Sequence, residues 1–301
     1  MSAAAPPSPA RFQLGISSWS LPWSIGVPGY PASAPALDAV GLVQRGSRAG
    51  VGIVQIADNL PLHEAGDAAL DALAGAARTA GVRLEVGTRG LDPTHLGRYA
   101  EVARRVGARV LRTVLSGRMY GPGQLAAAED GIARALADLD RHEVTLAIEN
   151  NEALSAAELA GLIARAGSPR VRACLDTANS LGRPELLDTV LDHLAPHAVM
   201  LHAKDFAIER VPTRMGFSVT GAPAGEGEVD FRRVVSVLGA RGSGDISVIV
   251  EHWPPFSGDV ESACRREEEW LARSLQHLRQ VLTDAASTAE AADTADAAGA
   301  D

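Results

Sequence analysis

Residues 144–150 read VTLAIEN, a short apolar run that stops on the carboxylate of Glu149. The pattern recurs at 171–177, VRACLDT, which reaches Asp176; at 197–205, HAVMLHAKD, which carries His202; and at 246–253, ISVIVEHW, which reaches Glu251. Runs this short and this apolar suit strands buried on both faces, the condition of a parallel sheet covered by helices. Four more precede them: FQLGIS (12–17), GVGIVQIAD (50–58), VRLEVG (82–87) and ARVLRTV (108–114). Each is followed by a longer segment with apolar residues three to four apart, the period of an amphipathic helix.

Local signals agree with the alternation. Asp92-Pro93 supplies an N-cap and a first-turn proline, Ser155 with Glu158 forms a capping box, and Gly81 and Gly107 can each end a helix. Eight β runs alternating with helices predict a single-domain α/β fold, a (β/α)8 barrel. No GxGxxG follows the first run, which weakens an open dinucleotide-binding sheet. The connection from Asp205 to Asp230 is longer than the roughly two to six residues usual between strand and helix, so an extended loop after the seventh strand is expected to act as a lid. Residues 1–10 and 283–301 are poor in large apolar side chains; both are expected to be disordered tails flanking a barrel over 11–282.

Composition narrows the function classes. The 301-residue chain is 46% hydrophobic and 22% charged, with a formal net charge of −9 and a pI near 5.4. A protein that tracks nucleic acid or coats an acidic membrane needs a basic face, so a small soluble substrate is the better expectation, with self-association left open. Only Cys174 and Cys264 are present, too few for a disulfide framework, and Cys174 lies inside an apolar run as a reduced thiol. The N-terminus lacks the basic and apolar regions of a signal peptide, and no apolar stretch approaches the ~20 residues of a membrane span, so the protein is expected in the cytoplasm.

In a parallel barrel the C-terminal strand ends share one face, which would bring Glu149, Asp176, His202 and Glu251 to one rim on neighbouring strands. Any one of them alone reads equally well as a polar cap before a helix. Together they describe a cation site, since an uncompensated buried charge costs on the order of 3–5 kcal/mol and a divalent cation removes that cost. Three hard oxygen ligands with one imidazole suit Mn²⁺ first, with Mg²⁺ or Co²⁺ as alternatives. Arg89, Arg112, Lys204 and Arg210 fall near the same rim and favour an anionic substrate; Asn150, Asn179 and His252 are candidates for hydroxyl binding or support of the ligands. Trp19, Trp23, Asp58 and His63 are candidate pocket walls.

The order Glu, Asp, His, Glu on the last four strands, with GEGEVDF before a helix and VIVEHW after it, resembles the xylose-isomerase-like TIM-barrel family of sugar isomerases and epimerases. The resemblance runs from about Phe12 to Leu282. It implies one divalent metal on Glu149, Asp176, His202 and Glu251, with Glu149 and Glu251 also acting as acid and base on opposite faces of a keto-sugar, sugar phosphate or sugar acid. The chain departs from the ketose-epimerase pattern, which places a His three positions after the sixth-strand aspartate and a Glu several positions after the fifth-strand glutamate. Here those places hold Asn179 and Ser155. SSWS, QIADNLPL, EVGTRG and HAKDFAIERVPTRMGF look more like a 3-oxo-isoapionate decarboxylase subgroup, which implies loss of CO₂ with help from Lys204 or Glu251. Endonuclease IV-like repair enzymes share the barrel but use more histidines and a basic DNA-binding face. A sugar-binding barrel without turnover is a further alternative.

Overall fold

The structure is a computed structural model that describes residues 11–115, 122–242 and 244–298. The eight apolar runs form β1 (Arg11–Ser17), β2 (Ile53–Ile56), β3 (Arg83–Arg89), β4 (Val110–Val114), β5 (Thr145–Glu149), β6 (Val171–Asp176), β7 (Ala198–Ala203) and, after a two-stranded excursion of β8 (Asp205–Arg210) and β9 (Phe217–Ala222), β10 (Asp245–Val250). All eight barrel strands pair in parallel and close in the order β1-β10-β7-β6-β5-β4-β3-β2. The helices between them are α1 (Pro22–Ile25), α2 (Ala39–Arg48), α3 (Asp67–Ala80), α4 (Pro93–Val106), α5 (Pro122–Arg141), α6 (Ala156–Ala166), α7 (Leu187–Leu194), α8 (Phe231–Arg241) and α9 (Val260–Ala298). This is the (β/α)8 barrel the alternation predicts.

The helix boundaries follow the local chemistry. The Asp92 carboxylate accepts from the His95 N–H at the start of α4, Ser155 and Glu158 close their capping box on α6, and Gly81 and Gly107 end α3 and α4 in the left-handed region that L side chains avoid. Apolar burial falls into two zones. One large shell packs helices onto the outside of the barrel; a smaller cluster of Ile53, Ala147, Cys174, Met200 and Ile249 fills its interior. Register then decides what reaches the rim. Asp176 sits opposite His202 and Glu149 opposite Cys174, with a bulge at Ala173/Cys174 realigning β6 against β7.

Two expectations are corrected. The extended connection after the seventh barrel strand contains an antiparallel β8–β9 hairpin where an irregular loop was expected, and Ile208, Met215, Phe217 and Val219 on it are exposed. Alternating residues there have β character, and ladder hydrogen bonds satisfy the backbone that a loop would leave to water. The hairpin base closes tightly on the end of β10: a Cβ at Gly221 would lie 2.5 Å from the Trp253 carbonyl oxygen, so only glycine fits. The expected C-terminal tail is helical instead, since α9 continues through Ala298. Residues 283–298 contain no Gly or Pro and are dominated by Ala, the strongest helix former, so they extend a helix already anchored by Leu271, Leu275, Leu278 and Val281. Residues 1–10 and 299–301 of the expected tails lie outside the described residues. No helix among the described residues is long and apolar enough to cross a membrane.

Candidate metal centre and active-site pocket

Because β5, β6, β7 and β10 are neighbours with aligned C-terminal ends, Glu149, Asp176, His202 and Glu251 meet at the barrel mouth, all buried. His202 Nδ1 lies 3.3 Å from Glu149 Oε2, 3.5 Å from Glu251 Oε1 and 3.9 Å from Asp176 Oδ2. Adjacent ligands of an octahedral ion bound at about 2.1 Å sit about 3 Å apart, so these separations lie close to what one ion would draw together. No hydrogen bond satisfies either His202 ring nitrogen among the described residues. An unsatisfied imidazole facing three carboxylates fits a divalent cation, and the oxygen-rich donor set fits a hard one. Cys174 also approaches: its sulfur, a Glu149 oxygen and a His202 nitrogen all lie within 4.8 Å of one another. Burial holds that thiol well above its ordinary pKa, which keeps it protonated and a poor ligand.

Two ion-paired groups flank the centre. On the β2–β4 side, Arg112 is buried, its Nε on Glu149 Oε2 and its Nη1 2.9 Å from Asp58 Oδ1, while Arg89 Nε lies 2.5 Å from Asp58 Oδ2. Asn179 Nδ2 donates to Glu149 Oε1 at 2.5 Å. Burial alone would raise Glu149; Arg112, His202 and Lys204 outweigh it and hold the carboxyl far below its usual range. On the β6–β10 side, Lys204 Nζ stands 2.9 Å from Asp176 Oδ2 and 3.0 Å from Glu251 Oε2, and donates to Asn179 Oδ1 at 3.4 Å. Burial would strip its proton, but Asp176 and Glu251 raise its pKa above the ordinary lysine value. Glu251 accepts a further hydrogen bond from Ser17 Oγ at 2.9 Å; burial opposes its ionisation, and His202 and Lys204 lower its pKa nonetheless. Asp176 is the exception, pushed up by burial despite Lys204.

Asn150 supports this arrangement from behind. Its amide donates to the Asp176 carbonyl at 2.9 Å and accepts from the Asp176 N–H at 2.7 Å, stitching the ends of β5 and β6 together. Thr177 does the same for Lys204, accepting from its N–H at 3.0 Å.

Above the charges opens a cavity of about 430 Å³. Its lining includes Arg89, Arg112, Glu149, Asn179, Lys204 and Glu251 with the aromatic rings of Trp19, Trp23 and Trp253. Trp19 Nε1 donates to Asp58 and Trp23 Nε1 to the Pro254 carbonyl, which fixes both rings. Two expected contacts, Arg210 and His63, lie outside the lining. Arg210 sits on the β8–β9 hairpin with its guanidinium stacked on Phe217, outside the cavity lining. His63 packs against His95 and bonds Tyr99, also outside it. His252 reaches the lining, yet its nitrogens are engaged by the Ser20 carbonyl at 3.2 Å and Ser274 Oγ at 3.0 Å, and burial lowers its pKa to about 4. It is a neutral tie between α9 and the barrel. Sequence reasoning missed Trp253, whose ring lies 5.0 Å from the Lys204 ammonium, and Asn151 and Glu152 on the lining. Their signal was adjacency to Glu251 and Glu149.

Comparison with known proteins agrees with the fold. A family model described as a xylose isomerase-like TIM barrel matches residues 43–281. The chain is 30% identical over 271 residues to a 3-oxo-isoapionate decarboxylase of Pectobacterium atrosepticum, covering 88% of this chain and 94% of the relative. Among solved structures, a xylose isomerase-like protein of Mycobacterium smegmatis in complex with magnesium superposes with TM-score 0.67 at 16% identity, covering 91% of this chain and 97% of that one. A D-psicose 3-epimerase of Clostridium cellulolyticum H10 with D-tagatose gives 0.68 at 13% identity, with 90% and 99% covered.

Proposed function

The chain belongs to the xylose isomerase-like TIM-barrel family, and from the way its mouth distributes charge we propose that it is a divalent-metal-dependent carboxy-lyase acting on a small 3-oxo sugar acid. The observation that carries this reading is the different partners of the two glutamates, both of which are held below the usual carboxylate range. A proton-shuttling epimerase needs a usable base on each face of its substrate. Both oxygens of Glu149 are clamped, one by the Arg112 guanidinium and one by the Asn179 amide, which leaves it a poor base. Glu251, by contrast, shares a proton-bearing ammonium, Lys204, at 3.0 Å. One-sided proton delivery is what decarboxylation requires.

The residues that would hold the ion are Glu149, Asp176, His202 and Glu251, with Mn²⁺ or Mg²⁺ best suited to the donor set. When bound, such a cation neutralises negative charge developing on the substrate's ketone and hydroxyl oxygens. The protein's own groups do the rest. Arg89 and Arg112 attract the acid into a cavity walled by Trp19, Trp23 and Trp253. The bond from the carboxylate carbon to C2 breaks, its electron pair forms the 2,3-enediolate, and CO₂ leaves. Lys204, facing Asp176 and Glu251, then delivers a proton to C2 and is reprotonated from solvent. The balance is 3-oxo acid plus one proton giving ketose plus CO₂.

Epimerisation remains the second reading, favoured by Glu149 and Glu251 lining one cavity. The test is to incubate Mn²⁺-loaded protein in D₂O with 3-oxo sugar acids and neutral ketoses. CO₂ release with one deuterium in the product is expected; exchange into ketoses with no CO₂ from any acid would overturn the lyase assignment. Full activity in chelator-treated protein would overturn the metal dependence.

A further inference from the structure

Below the mouth, the barrel interior holds a polar layer that the reaction above does not use. Gln55, Glu85 and Ser247 are buried there beside Met200. Gln55 and Glu85 are register partners on β2 and β3; Gln55 Nε2 donates to Met200 Sδ at 3.1 Å, and Ser247 Oγ donates to Glu85 Oε1. Met200 and His202 lie two apart on β7, so their side chains share the inward face, one directly beneath the other. Three buried polar atoms of this column have no hydrogen-bond partner among the described residues: Gln55 Oε1, Glu85 Oε2 and His202 Nε2.

Their chemistry is complementary. An imidazole that offers Nδ1 to a cation carries its proton on Nε2 and needs an acceptor there. Gln55 Oε1 and Glu85 Oε2 are acceptors in need of donors. One buried water would accept from His202 Nε2 and donate to both oxygens, making about three hydrogen bonds, the usual number for an internal water. We infer that Glu85 and Gln55 are positioning residues that, through one buried water, hold the proton of His202 on Nε2 and aim Nδ1 at the ion. The inference rests on the metal reading of the site. At the rim it is Nδ1 that lies near Glu149, Asp176 and Glu251.

A high-resolution crystal structure of the metal-free wild-type protein is the first test. An ordered water bonded to His202 Nε2 and to Gln55 or Glu85 is expected; Nε2 in contact with apolar atoms alone overturns the inference. The second is calorimetric titration with Mn²⁺. The Gln55→Leu/Glu85→Leu protein, shown folded by circular dichroism, should bind Mn²⁺ about 10- to 100-fold more weakly, as loss of an outer-shell partner typically does, while Glu85→Gln, which keeps an oxygen acceptor, should restore binding. Unchanged affinity in the folded double variant, or no rescue by Gln, overturns it. Should the double variant fail to fold, the crystallographic result decides. A wild type that binds no divalent ion defeats the metal reading, while the water at Nε2 still tests the network.

Discussion

The two flanks of the barrel mouth carry similar charges and differ in what those charges can do. On one, Arg89, Asp58, Arg112 and Glu149 form a chain closed by guanidinium groups. On the other, a single ammonium, Lys204, stands between Asp176 and Glu251. A guanidinium does not give up its proton in a protein, so the first flank can orient and neutralise but not shuttle. The Lys204 ammonium is kept protonated by those carboxylates, yet unlike a guanidinium it can pass its proton to a strongly basic carbanion. Glu149 and Glu251 occupy matching strand ends, yet guanidinium and amide donors hold the first and a single ammonium the second; under the proposed lyase reading that difference assigns the first to anchoring and the second to proton transfer.

The largest effect that could break this contrast is on turnover. Lys204→Met and Glu251→Gln are each expected to lower kcat about 10²- to 10⁴-fold, the span of a lost general acid or base, with the barrel intact by circular dichroism. Steady-state kinetics on a 3-oxo sugar acid provides the measurement. Turnover near the wild-type value in either variant would remove that residue from the proton path.

The opposite flank is expected to fail in stability first. Arg112→Met leaves Asp58 and Glu149 facing each other with their shared buried partner gone, and an unmatched buried charge costs about 3–5 kcal/mol. Chemical denaturation should record that loss in metal-free protein, and added Mn²⁺ should recover part of it by neutralising Glu149. A variant as stable as wild type would mean that the guanidinium is not what offsets those carboxylates.

How much of this was readable from the chain depends on whether the deciding contact was local or distant. Strand order, the α4 and α6 caps and the convergence of Glu149, Asp176, His202 and Glu251 follow from periodicity, because parallel strands must end on one face. The hairpin was missed: its exposed apolar residues alternate too weakly over six-residue strands to separate from a glycine-containing loop. Arg210 was misplaced with it. The end of α9 is hard to read from the chain because low hydrophobicity points to disorder while the helix propensity of alanine points to a helix, and the anchored preceding turns favour the second. The clamp of Arg112 and Asn179 on Glu149 joins positions 30 and 37 residues apart, and no local pattern encodes such a meeting. Gln55 and Glu85 sit mid-strand among apolar neighbours, and only burial distinguishes them from outward-facing polar residues.

A third carboxylate sharpens the contrast by lacking a direct cationic partner among the described residues. Glu267 on α9 accepts the N–H groups of Trp23 and Ser24, both at 2.7 Å, while nearby Arg45 pairs with Glu268. Burial raises Glu267 from 4.5 to about 7. The sign follows: from pH 4.5 upward the unfolded chain ionises while the folded carboxyl keeps its proton, so this group's contribution to stability is lost as pH rises through 7. The shift corresponds to at most about 3 kcal/mol. Urea titrations at the two ends of that window should show the slope in wild type and its reduction in Glu267→Gln; an identical slope in both would place the pH dependence elsewhere.

The smallest expected effect belongs to Arg89, whose side chain is 53% exposed and whose partner Asp58 is already served by Arg112. An ion pair that open to solvent contributes about 0–1 kcal/mol, so Arg89→Gln should leave the denaturation midpoint nearly unchanged. Its guanidinium nevertheless lines the cavity, where it adds positive potential along the path of an entering acid. KM for acidic substrates should therefore rise a few-fold at low salt and converge on wild type as ionic strength increases, with neutral ketoses unaffected. A rise shared by acidic and neutral substrates would show that Arg89 shapes the wall of the cavity and does not select charge, which would confine anion recognition to Arg112 and Lys204.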